Sequence, residues 1–451
     1  MNPSLRCRLL LVLAALLASG PALPLEPGVP ETPAFPAVLR LEDALRIFRN
    51  HGLDLLVAEA SVRSVDADLR SARAIANPGL SATYGRSFTF GGCADAQGNP
   101  ASCGLLPEAA YGIGLSDSGA IVDALSGKRG LRVATARAAL EAARAARDDA
   151  RRVLESQLRQ AFVQAVVAQE AARFAGEVAA GSARTLQLTQ ARYDAGAISE
   201  ADLARIEVAK LEADQAETAA VQGARATRIA LAFLLGVRGP VPAFDVAGPE
   251  LLHPTAPPGV LALSRDALLE RARAQRPDLA AALRQRQRAE SALALARRQR
   301  FPDVQLSLSY TQQGTASNAV SPPTLTAGLA LPLPLFYQQQ GEIQKAEADL
   351  AIQSLTVARV ETQVVSDVES AWSDYQTASV LSRRMEGALL ERAARARELV
   401  EVQYRKGAAS LLDYLDAQRT FIGTRVEYLN DLAAYWTAFY RLEQAVGAEL
   451  R

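Results

Sequence analysis

The sequence predicts a mainly α-helical chain with a small β part, laid out as two internal repeats. Three observations carry this. Two breaker-poor runs rich in Ala, Leu, Arg, Glu and Gln, at 131–192 and 342–405, have helical composition. Four short segments switch to a period of two, the pattern of strands with one apolar face. Landmark residues recur at one displacement: Tyr193, Gly196, Ser199 and Asp202 return 211 positions later as Tyr404, Gly407, Ser410 and Asp413.

The N-terminus reads as a secretory signal over 1–22. Arg6 and Arg8 form a positive start, Leu9 to Leu17 an apolar run, and Ala18 to Ala22 a small-residue cleavage segment. The apolar run is far short of the roughly 20 residues a membrane helix needs. Lys+Arg and Asp+Glu both total 49, so no basic field exists to hold nucleic acid by counterion release. Export makes Cys93 and Cys103 candidates for a disulfide, because both lie in a Gly/Ala/Asn/Pro-rich segment and bridges persist on the oxidising side.

The first repeat is expected over 23–236: a helix, strands near 80–90 and 110–118, a long helix, a turn near 194–199 and a further helix. Residues 237–263, with Gly239-Pro240, Gly248-Pro249 and Pro257-Pro258-Gly259, read as a linker running outside the helices. The second repeat is expected over 264–451, with strands near 304–312 and 324–332 and a turn near 405–410. Gly130 and Gly236 return as Gly341 and Gly447 at the same displacement of 211, while upstream landmarks such as Asp43 and Asp266 are offset by 223. An insertion that differs between the halves therefore falls around the strands. A helix of about 62 residues spans on the order of 90 Å, more than a compact domain holds.

In the strands, Leu80, Ala82 and Tyr84 alternate with Ser81, Thr83 and Gly85, and Tyr111, Ile113 and Leu115 with Gly112, Gly114 and Ser116. Leu306, Leu308 and Tyr310 alternate with Ser307, Ser309 and Thr311, and Leu325, Ala327 and Leu329 with Thr326, Gly328 and Ala330. This is the pattern of transmembrane β-barrel strands, and also that of a soluble sheet edge. Barrels need about eight strands or more, so four membrane strands require an oligomer: two copies supply eight and three supply twelve.

These features together resemble the TolC-like outer-membrane efflux family. The resemblance rests on the two-fold repeat, the element order, LPLPLF at Leu331 to Phe336, and Tyr404-x-x-Gly407 followed by LLDYLDAQRT. LPLPLFYQQQG at Leu331 to Gly341 and ADLARIEVA at Ala201 to Ala209 are similar to the CzcC-type branch linked with metal resistance. The resemblance implies a homotrimer whose twelve strands form one barrel in outer-membrane lipid, on a periplasmic helical tunnel. It implies a periplasmic adaptor and an inner-membrane pump of the RND type as partners, and no cofactor.

It also implies a constriction at Asp413, Asp416 and Tyr404, which threefold symmetry would gather into rings favouring cations. The alternative for Asp413 is a helix cap after the Gly407 turn. Gly196, Gly407, Tyr193 and Asp202 are expected at adaptor-facing tip turns, where positive φ favours glycine. Arg205 stands where Asp416 would be matched in the first repeat, and Ala409 where some relatives carry an arginine that latches the closed end. The sequence holds no nucleophile motif, metal-ligand cluster or phosphate loop, so an enzyme is not expected. The competing function is a soluble periplasmic coiled-coil adaptor, which long Ala-rich helices also suit.

Overall fold

The computed structural model describes residues 31–86, 93–94, 100–101, 109–117, 119–255, 264–313 and 321–450. The expected signal segment lies outside them. The chain opens with β1 (Val38–Leu39), α1 (Leu41–His51) and α2 (Leu53–Arg73), followed by β2 (Gly79–Arg86), β3 (Cys93–Ala94), β4 (Pro100–Ala101) and β5 (Ala109–Ser116). Next come α3 (Ala120–Leu125), α4 (Lys128–Asp194), α5 (Glu200–Leu234), β6 (Asp245–Val246), a 3-10 turn at Pro249–Leu252, α6 (Arg265–Gln275) and α7 (Pro277–Gln299). The chain closes with β7 (Gln305–Gln313), β8 (Ser321–Ala330), α8 (Gln340–Arg384), a π-helical turn (Met385–Leu389), α9 (Leu390–Arg405) and α10 (Leu411–Val446).

The 67 residues of α4 form one uninterrupted helix about 100 Å long by rise per residue. Sequence composition predicts the same for 342–405, but there the π turn of 5 residues separates the 45 of α8 from the 16 of α9. The first helix of each half is also broken in two, by backbone chemistry the composition obscures. Pro277 forces Arg276 into extended geometry, φ −69° and ψ 121°. Gly52 holds φ −63° and ψ 111° against the Phe48 ring, where a Cβ would come within 2.6 Å.

The central core gathers Leu158, Phe162 and Val166 of α4, Leu231 of α5 and Leu235 at its C-cap, and Tyr435, Phe439 and Tyr440 of α10. The segment read as an external linker is part of this core. Phe244, Val246 and Leu251 are buried, β6 pairs in parallel with β1, and Phe244 stacks on Phe35 with centroids 5.0 Å apart. Spacing and Pro/Gly density hid this, because the anchoring apolar residues are too few to make a period.

Burial here extends to charge. Arg159 (7% exposed) donates to Glu443 (5%) at 2.7 Å, and Glu443 also accepts from the backbone N–H of Leu450 at 2.9 Å. Arg276 reaches Asp278 at 2.6 Å and Asp367 at 2.9 Å, tying α7 to α8. These networks fasten the chain's last residues and the second half's first helices to the long helices.

Four antiparallel strands form one sheet in the order β2-β5-β7-β8. The register aligns Leu80, Leu115, Leu308 and Ala327 in one row and Ala82, Ile113, Tyr310 and Leu325 in the next. One face is therefore apolar, and it is exposed: Leu325 is 68% and Leu329 69% accessible. The other face carries Ser81, Thr83, Gly112, Gly114, Ser307, Ser309, Thr326 and Gly328. On it Gly112, Gly114 and Gly328 each face a hydroxyl across the ladder: Ser81 Oγ donates to Gly114 O at 3.4 Å and Ser307 Oγ to Gly328 O at 3.5 Å. A Cβ on Gly112 would lie 2.4 Å from Thr83 Oγ1. Among the described residues β2 and β8 are each paired on one side only. Pro322 and Pro323, expected in a loop, fall at the start of β8 instead, where the ladder to β7 is irregular between Thr311 and Gln313 and asks neither for an N–H.

At the sheet-to-helix junction Lys128 is buried to 6% exposure. Its Nζ donates to Phe301 O at 2.6 Å and to Asp303 at 2.7 Å. No helix among the described residues is long and apolar enough to cross a membrane.

Candidate constriction and helical tips

The two helix-reversing turns lie together at the end of the long helices. Gly196 has φ +70° and Gly407 φ +74°, each stopping its helix in left-handed geometry where a side chain is strained. The closing hydrogen bonds match. Gly196 N donates to Tyr193 O and Ala197 N to Arg192 O, both at 2.8 Å, while Gly407 N donates to Tyr404 O at 3.1 Å and Ala408 N to Gln403 O at 2.8 Å. A Cβ on either glycine meets nothing within 4 Å, so the requirement is conformational and not steric.

Each turn hands over to a serine-capped helix. Ser199 Oγ accepts from Asp202 N at 3.2 Å, and Asp202 in turn receives Arg205 at 3.2 Å. Ser410 and Asp413 form a complete capping box: Ser410 Oγ accepts from Asp413 N at 3.2 Å, and Ser410 N donates to the Asp413 carboxylate at 3.0 Å. The Ser410 hydroxyl also donates to that carboxylate, at 2.6 Å. These bonds, hydroxyl first and backbone N–H second, hold the Asp413 carboxyl below its ordinary range. Asp413 is thus a cap, and it is also an exposed, ionised carboxylate. Asp416 is exposed one turn further along α10, and Tyr193 is exposed at the first turn.

Tyr404 is half-buried and joins the two halves of the chain. Its ring stacks on Tyr414, with centroids 5.2 Å apart and planes 11° from parallel. The Arg192 guanidinium lies 5.1 Å from the Tyr404 centroid, and its Nη2 donates to Arg405 O at 3.2 Å. Tyr414 OH and Thr185 Oγ1 share a hydrogen bond of 3.3 Å. Sequence reasoning singles out Tyr404 and leaves Arg192, Thr185 and Tyr414 unremarked. Arg192 sits 213 positions from the carbonyl it reaches, and no local spacing marks such a pair. Ala409 stands beside the second turn, and a guanidinium from α4 reaches across to α9.

The remaining expected site lies elsewhere. Cys93 stands in β3, paired in register with Ala101 of β4, while Cys103 lies outside the described residues. Among the described residues no three His, Cys, Asp or Glu side chains converge as a metal site.

Comparison with known proteins agrees with this architecture. The family described as outer membrane efflux protein matches residues 268–448. The cobalt-zinc-cadmium resistance protein CzcC of Cupriavidus metallidurans is 26% identical over 429 residues, covering 93% of this chain and 94% of that protein. The pyoverdine export outer membrane protein OpmQ of Pseudomonas putida is 28% identical over 397 residues, covering 84% and 80%. The crystal structure of the Campylobacter jejuni CmeC outer membrane channel superposes with a TM-score of 0.72 at 18% identity, covering 90% of this chain and 85% of that one. Residues 268–448 thus match the outer membrane efflux protein family, and nearly the whole chain is similar in sequence to the CzcC protein and in fold to the CmeC channel.

Proposed function

We propose that this chain is the exit duct of a tripartite efflux system, a homotrimer whose twelve strands close one barrel in the outer membrane. The observation that carries the reading is the four-stranded sheet: apolar and exposed on one face, small and hydroxyl-bearing on the other, with two half-paired edges. An open edge cannot sit in lipid, so β8 of one copy pairs with β2 of the next until the ring closes. The apolar face meets the acyl chains and the hydroxyl face lines an aqueous bore.

The helices continue the bore through the periplasm to the tips at Gly196 and Gly407. There a periplasmic adaptor docks, and an inner-membrane pump of the RND type supplies the energy. The chain performs no chemistry. Two structural halves, 23–236 and 264–451, arose by duplication. The matched positive φ of Gly236 (+92°) and Gly447 (+77°), and helices of 35 and 36 residues before them, support this.

At the tip Asp413 and Asp416 form acidic rings around the threefold axis, and the bridge from Arg192 to Tyr404 holds the ends together. The likeness to the cobalt-zinc-cadmium resistance protein supports metal cations as the first cargoes to test, and acidic rings would favour cations. Signal-processed protein should fractionate with outer membranes and conduct in planar bilayers. D413A/D416A should raise conductance or lower cation preference. Recovery of the wild-type chain in the soluble periplasm would sink the reading, as would a double variant with unchanged current and selectivity.

A further inference from the structure

A groove of about 1000 Å³ runs between α4, α9 and α10 behind the tip, from Phe174 to Arg192. By helical rise that stretch of α4 is about 27 Å long. Its walls are aromatic, with Phe174, Tyr404 and Phe421 lining it. Its charge is unbalanced. Glu177 and Glu401 also line it, but the first is paired with Arg173 and the second with Arg405. Arg184, Arg192 and Arg397 line the same groove with no carboxylate in salt-bridge reach among the described residues.

Arg397 is the most informative of the three. Its guanidinium lies 4.6 Å from the Phe421 centroid, and its Nε is buried with no hydrogen-bond acceptor. A buried charged donor left in that state costs free energy that an incoming anion would recover. Planar guanidiniums beside aromatic faces suit a carboxylate, sulfonate or phosphate carried on an apolar ring: the head pairs with the fork and the ring stacks.

We infer that this groove is a binding site for an aromatic or amphipathic anion, held by Arg184 and Arg397 at its head and by Phe174 and Phe421 along its body. The site does not depend on conduction. Arg192 belongs both to the groove and to the Tyr404 contact, so an anion that engages Arg192 competes with the bridge across the tips.

The test uses the full-length chain in lipid nanodiscs, with 2-naphthoate as ligand and 2-naphthamide as its uncharged counterpart, followed by calorimetry and saturation-transfer NMR. R184Q/R397Q should weaken naphthoate binding by about tenfold or more and leave naphthamide within about twofold, while R184K/R397K, which keeps the charge but loses the planar fork, should fall about threefold or more. R184Q alone, at an exposed position, should weaken naphthoate about threefold or more without touching assembly. The inference is overturned if naphthoate binding ignores the arginines, if both ligands fall together, or if inorganic sulfate binds as tightly as naphthoate. Protection of the arginines by an acidic partner helix alone, with no naphthoate binding, would overturn it in favour of a protein-docking surface.

Discussion

Leu308 and Ser309 are neighbours in β7 that the register sends to opposite faces of the sheet, so arginine at each gives opposite outcomes if the apolar face meets lipid. Leu308 is the fourth of nine residues in its strand, aligned with Leu115 and Ala327, and so stands near mid-depth. An arginine on the lipid face there costs about 2–4 kcal/mol, and three copies in one barrel bring about 6–12 kcal/mol. That is comparable with the whole stability of an ordinary domain. Ser309 lies between Gly114 and Thr326 on the hydroxyl face, where an arginine reaches water. L308R should therefore be lost from the outer-membrane fraction and fail to give a heat-modifiable trimer on semi-native gels. S309R should assemble as wild type and shift the reversal potential towards anions in planar bilayers. Normal insertion of L308R together with failure of S309R would refute the assignment of faces.

R192A removes a cation–π contact and a charge-assisted bond across the tips, together about 1–2 kcal/mol, and should raise spontaneous opening in single-channel records severalfold. R159M removes the guanidinium from the buried Glu443 carboxylate and should cost about 3–5 kcal/mol in urea unfolding, while R159M/E443L recovers most of the loss. G407A should cost about 1–2 kcal/mol from its positive φ alone, seen as faster hydrogen exchange at the tip with sheet protection unchanged. Burial pushes the Asp278 carboxyl upward, but the hydrogen bonds and charge of Arg276 outweigh it and leave it below its ordinary range. Its contribution to stability is therefore present above the unfolded value near about 3.9 and is lost as pH falls through the lower folded value. D278N should flatten that acid limb in thermal melts across the same range.

The parts of this fold legible in the sequence are those where each residue's role follows from its near neighbours. Period-two segments gave the strands their two faces, and the glycine four residues after each tip tyrosine's predecessor, at 196 and 407, marked the positive-φ turns. Ser410 and Asp413 show the capping spacing directly. What stayed hidden depends on distant segments meeting. The Arg192 bridge needs α4 and α9 side by side, and the orphaned Nε of Arg397 appears only when Phe421 packs against it. Phe244 and Leu251 looked like linker because their partners lie far off in the chain, at Phe35 and in α4 and α10. The π turn at Met385–Leu389 interrupts a stretch whose composition is uniformly helical, and its Glu386 receives His253 at 2.9 Å, a histidine to which sequence reading gives no role.

The pairing of glycine with hydroxyl across the sheet bears on how a solute would travel. Ser81, Ser116 and Ser307 turn their O–H groups onto the carbonyls of Gly114, Gly79 and Gly328, into space that a side chain would otherwise fill. Those donors are spent on the wall itself. A molecule crossing the proposed bore would meet a surface that is wettable yet offers few strong points of attachment, and slow, sticky passage would be avoided for cargoes of very different chemistry. Low friction at the exit would let the ends facing the pump decide what leaves.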